Sequence, residues 1–105
     1  MSTIAELNDA FRRSAPAGTT FVTAGIAALP QEAQARILER VRTFDAFTEG
    51  NDPYGEHDFG AFEFAAQTIF WKIDCYDRDM RYGSPNPADP AVTKRVLTVM
   101  LAEEY

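Results

Sequence analysis

TEGNDPYGEHDFGAFEFAAQTIFWKIDCYD, residues Thr48–Asp77, decides the fold, and it holds the only His, the only Trp and the only Cys of the 105-residue chain. It begins as a polar loop, Thr48 to Asp58, in which Asp52-Pro53-Tyr54-Gly55 has the residue order of a type I turn: Asp first, Pro second, Gly last. Phe59–Phe64 and Thr68–Tyr76 then read as two strands around Ala65-Ala66-Gln67. The first puts Phe62 and Phe64 on one face. In the second, Ile69, Trp71, Ile73 and Cys75 alternate with Phe70, Lys72, Asp74 and Tyr76. A side-chain period of two assigns the first set to the core and turns Lys72 and Asp74 outward. So short a connection makes the pair an antiparallel hairpin.

Towards the N-terminus, Pro30 suits the first turn of a helix, where its missing N–H costs nothing. Ala33, Ile37, Val41 and Phe44, with Leu38 beside them, form its buried stripe, and Glu32 and Arg36 form an outer ion pair. The spacing predicts a helix from Gln31 to about Ala46. Before it, β-forming residues predict a strand over Thr20 to Ala24, with Gly25 at a bulge or a close approach. A first helix starts at Thr3, whose T-x-x-E pattern with Glu6 is a capping box. It buries Ile4, Leu7 and Phe11, carries Arg12 and Arg13 where positive charge suits the helix dipole, and ends at Pro16 and Gly18.

Beyond the hairpin, the turn-rich Asp77 to Asp89 wraps the surface. Asp89-Pro90 is then expected to open a last helix, with Val92, Val96, Val99 and Met100 as its apolar stripe. Two features strain that helix. Valines are mediocre helix formers, and Lys94 and Arg95 come early while Glu103 and Glu104 come late, against the dipole. The resulting order is helix, strand, helix, strand, strand, helix. The fold class is α+β, a small and mainly antiparallel sheet with helices on one face, and residues 1–105 are expected to form a single domain.

The chain is 46% hydrophobic and 25% charged, which is the composition of a globular protein. Its formal net charge is −6, from sixteen acids against ten bases. With no run of Lys and Arg to displace counterions, direct nucleic-acid binding is disfavoured, whereas a protein partner with a basic surface fits the sign. One cysteine makes neither an internal disulfide nor a cysteine-rich zinc site. No signal-peptide pattern or membrane-length apolar run is present, so a cytoplasmic location and no membrane are expected. No motif calls for a cofactor.

The stretches LPQEAQARILERVRTFDAFTEGNDP, NDPYGEHDFGAF, IFWKIDCYD and ADPAVTKRVLTVMLAEEY resemble a family of small uncharacterised bacterial proteins, a domain of unknown function often found on plasmids and other mobile elements. The resemblance covers roughly Thr19 to Tyr105. It implies no activity, and raises the weight of roles in element maintenance or evasion of host defence. The family pattern carries Tyr where this chain has Cys75, which argues against a required thiol.

One constellation has chemical potential: Asp52, Glu56, His57 and Asp58 in the loop, with Asp74, Tyr76 and Asp77 at the strand end. Asp52, Glu56, His57 and Asp58 can offer oxygen and nitrogen ligands to a divalent cation. His57, Asp58 and Asp74 can act as acid and base. The plainer reading is that these residues satisfy turn backbone. Cys75, on the core side of its strand, reads as a buried and inert thiol. Tyr54, Phe70, Tyr76 and Tyr82 are candidate interface aromatics, rimmed by acids. The first functional reading is a non-enzymatic protein-interaction or binding module, with a metal-dependent or acid–base enzyme on His57, Asp58 and Asp74 as the second. The third is an acidic mimic of nucleic acid that blocks a host defence protein, which needs carboxylates arrayed over one face.

Overall fold

The structure, a computed structural model, describes residues 2–105. In chain order it has helix α1 (Ile4–Ser14), strand β1 (Thr20–Val22), the short helix α2 (Ala24–Ala27), helix α3 (Gln31–Arg42), strands β2 (Phe59–Phe64) and β3 (Gln67–Tyr76), and strand β4 (Lys94–Leu101). Single 3₁₀ turns, Pro90–Val92 and Ala102–Glu104, flank β4. The sheet has the order β1-β4-β3-β2 and is mixed: β2–β3 and β3–β4 are antiparallel and β1–β4 is parallel.

The hairpin lies where the alternation put it, and its register sets Gly60 opposite Trp71 and Phe62 opposite Ile69. The loop is the two residues Ala65 and Ala66, with φ 50° and 66°. Such a turn follows the right-handed twist of the strands, but it holds both alanines in the left-handed region that favours Asn and Gly. Ala65→Asn with Ala66→Gly is therefore expected to add about 1 kcal/mol of stability. A urea midpoint that fails to rise would count against this turn geometry in solution.

The expected last helix is a strand. Asp89 does cap a turn, its carboxylate accepting from the Ala91 N–H, but the turn ends at Val92 and the chain extends at Thr93. Arg95, Leu97, Val99 and Leu101 point inward and are buried. Val96 and Met100, which share one helical stripe, are on the opposite side of the sheet. Valines suit this pleated, half-buried surface better than a helix interior. The expectation of three strands becomes four, and a mainly antiparallel sheet becomes a mixed one. The strand predicted to Ala24 stops at Val22 because α2 begins there and drives Ile26 into the core. Helix α3 starts at Gln31 as expected but ends at Arg42, four residues early, so that Phe44 and Phe47 can turn inward against Trp71.

The core joins Ile26 of α2 and Ile37 and Val41 of α3 to Phe62, Ile69, Trp71, Ile73, Leu97, Val99 and Leu101 of the sheet, with Phe11 of α1 packed against them. All three helices thus share one face of the sheet. The register places Phe59, Lys72, Thr98 and Phe21 in one row across the other face, with Phe70 and Met100 in the next. Among the described residues no helix covers that face, and Phe21 is 53% exposed.

Candidate functional site

The loop between α3 and β2 folds on its own polar groups. Thr48 and Asn51 exchange side-chain and backbone hydrogen bonds, and the Gly55 N–H donates to Asp52 O at 3.0 Å to close the expected turn. The Asp52 carboxylate then turns inward, where it is 6% exposed, and accepts from the N–H groups of Glu56 and His57 at 3.1 and 3.3 Å. This is the turn-satisfying role that short polar side chains fill.

His57 sits in the left-handed region, φ 55°, and its ring lies flat on Phe47 with centroids 3.9 Å apart. Its Nδ1 is 3.0 Å from the Asp9 carboxylate of α1, and its Nε2 is 3.6 Å from Asp52 Oδ2. The two carboxylates are thus on opposite sides of one imidazole, so a cation on either nitrogen would meet only one of them. Among the described residues no three His, Cys, Asp or Glu side chains are grouped to hold a metal ion.

Asp9 also accepts from Arg12, at 2.8 Å. Arg12 is fully buried, donates to the Val41 and Arg42 carbonyls at 2.7 and 3.1 Å, and stacks its guanidinium 4.9 Å from the Trp71 ring centre. Next to it on α1, buried Asn8 donates to Glu56 O and accepts from Arg95 Nε, and Arg95 also donates to Pro87 O. Asn8, Asp9 and Arg12 therefore bind α1 to the loop and to β4 through a nearly dry polar layer. At such depth these groups need partners, because an unpaired buried charge costs several kcal/mol.

The remaining candidate residues do not join this layer. Asp58 immediately precedes β2, and its backbone O accepts from the Ile73 N–H at 2.8 Å. Burial pushes its carboxyl above the usual Asp range against the pull of its own backbone, with the Asp52 and Asp74 charges adding to the rise. Asp74 pairs with Lys72 at 3.2 Å on the uncovered face. Cys75 is half-buried, and burial pushes its thiol up, which makes it a poor nucleophile. Of five surface clefts of about 240 to 370 Å³ among the described residues, none is lined by His57, Asp58 or Asp74. Of the interface aromatics, Phe70 and Tyr76 share the uncovered sheet face. Tyr54 and Tyr82 stand on loops, 86% and 74% exposed.

Sequence reasoning missed Asn8, Asp9, Arg12 and Arg95, together with the aromatics Phe21 and Phe47. The spacing of Asn8 and Arg12 with Ile4 and Ala15 is a helical signal for an inward face, but an exposed polar pair has the same spacing.

The fold and its surfaces define a small α+β protein whose mixed sheet has one helix-covered and one bare face, with a part-buried Arg–Asp–His layer beneath its acidic loop. The chain belongs to the family described as protein of unknown function DUF3768, whose profile matches residues 22–104. That span takes in His57, Trp71 and strands β2, β3 and β4, but leaves out α1 and all of β1 except Val22. No curated protein and no solved structure matches the chain. No helix among the described residues is long and apolar enough to cross a membrane.

Proposed function

We propose that the protein is a non-enzymatic interaction module of a mobile element, binding a protein partner on the uncovered sheet face. The observation that carries this reading is the one-sided packing. Every helix sits on the core face, while Phe21, Phe59, Phe70 and Tyr76 occupy the other with Lys72, Asp74 and Lys94 among them. Aromatic side chains among sparse paired charges are the composition of an interface centre. The formal net charge of −6 favours a partner with a basic rim.

An acid–base enzyme on His57, Asp58 and Asp74 has the raised Asp58 carboxyl in its favour. Against it, His57 has a carboxylate at each nitrogen and Asp74 is paired with Lys72. The mimic reading needs outward carboxylates, whereas Asp52 and Asp9 are turned inside.

A photoreactive phenylalanine analogue placed at Phe21 should give a discrete cross-linked adduct in an extract of the source cells. The same analogue at Arg36, on the exposed side of α3, should give none, and Phe70→Ser should weaken the Phe21 adduct. Equal cross-linking from both positions, or from neither, refutes the reading.

A further inference from the structure

We propose that Ala102–Tyr105 is a strap closing one corner of the uncovered face, and that the ligand displacing it is an extended peptide presenting a carboxylate followed by an aromatic ring. This rests on the reading of that face as the binding surface and narrows it to one corner and one ligand chemistry.

The chain's own segment displays that chemistry. The Glu104 carboxylate accepts from Thr23 Oγ1, from the Gly25 N–H at 2.8 Å and from the Leu101 N–H at 3.0 Å. These donors hold its carboxyl below the usual range, Thr23 contributing most. Gly25 makes room for it: a Cβ there would fall 2.6 Å from Glu104 Oε1 and from Leu101 Cδ1. Tyr105 follows, its ring meeting those of Phe59 and Phe70 edge-on at 6.1 and 5.7 Å. Beneath the strap, Met100 is buried and a cleft of about 340 Å³ is lined by Thr23, Lys72, Thr98, Met100, Glu104 and Tyr105.

The strap closes the corner without committing much surface to it. Tyr105 remains 75% exposed, and the Glu104 contacts lie at the protein surface, where water competes for each hydrogen bond. Tethering supplies an effective concentration in the millimolar range, which holds a weak segment in place. A partner segment that adds contacts along Phe21 and Thr98 exceeds what the strap alone can offer.

The test titrates the acetylated peptide Ala-Glu-Glu-Tyr into ¹⁵N-labelled Glu104→Ala/Tyr105→Ala protein. Saturable shifts are expected at the Gly25, Phe59 and Phe70 amides, with a Kd on the order of 1 mM. The shifts should vanish with the peptide Ala-Glu-Glu-Ala and on adding Gly25→Ala, and the apparent affinity should be a few-fold weaker in the wild-type protein, whose strap competes. Absence of shifts in the opened variant, or equal shifts in the wild type, overturns the proposal. Glu104→Gln, which keeps the shape, replaces the double variant if the latter loses native amide dispersion. If the titration fails while cross-linking from Phe21 persists, the strap and its ligand are wrong and the binding face stands. If both fail, the face itself is wrong.

Discussion

Arg12→Ala is expected to lower the unfolding free energy by about 3–5 kcal/mol, the usual cost of breaking a buried charge network by removing one member. The guanidinium donates to the Val41 and Arg42 carbonyls at the end of α3, and it shares Asp9 with His57. Its loss strands a partly buried carboxylate and empties the space against Trp71 and Phe47. For a domain of this size the melting temperature should fall by roughly 12 °C or more. Urea denaturation followed by the fluorescence of Trp71, the only tryptophan, measures it directly. Asp9→Asn should cost less, because an amide oxygen still accepts from Arg12. If Arg12→Ala costs under about 1 kcal/mol, the value of an ordinary surface ion pair, the polar layer does not hold α1 to the body.

Gly60→Ala is expected to cost about 3 kcal/mol, at the upper end of overpacking in a well-filled core. A Cβ on Gly60 would lie 2.4 Å from Trp71 Nε1 and 2.6 Å from Cε2, across the strand pair. The indole cannot move aside. It is fully buried, with Phe44 and Phe47 edge-on to it and Arg12 over its face. Its Nε1 also lacks a hydrogen-bond acceptor, which fits a side chain placed by shape rather than by polar contacts. Trp71→Leu removes the ring atoms in conflict, so the double variant should lose much less than the sum of the two single losses. A coupling of at least about 1 kcal/mol is expected in that cycle, and additive losses would sink the account.

Several elements were legible because their signals are local. The Thr3–Glu6 box forms with both hydrogen bonds, at 2.9 and 3.1 Å, since its two partners lie one turn apart. Ile37 and Val41 are buried as their spacing required, and Ile69, Trp71 and Ile73 as their alternation required. Strand β4 was misread because Val92, Val96, Val99 and Met100 satisfy a helical period while a charged residue, Arg95, interrupts the inward set of the strand. Arg95 is tolerated inside because Asn8 accepts from it, and Asn8 is 87 residues away.

The candidate site shows the same division. The sequence singled out His57 and its acidic loop, and the turn closed by Asp52 could be read from Asp-Pro-Tyr-Gly. It could not reveal that Asp9, 48 residues earlier, holds the imidazole, or that Arg12 acts as a buried anchor rather than a partner of the helix dipole.

By itself, then, the sequence determined the caps, the hairpin, the long helix and the inward face of β3, where each residue's preference agrees with those of neighbours within a turn or a pleat. Only the tertiary structure decided that the last segment is a strand, that the first strand pairs in parallel with it, that a polar layer lies under the loop, and which sheet face is bare. Those outcomes depend on partners distant in the chain, whose pairing lets a charged side chain be buried at one place and leaves aromatic rings uncovered at another.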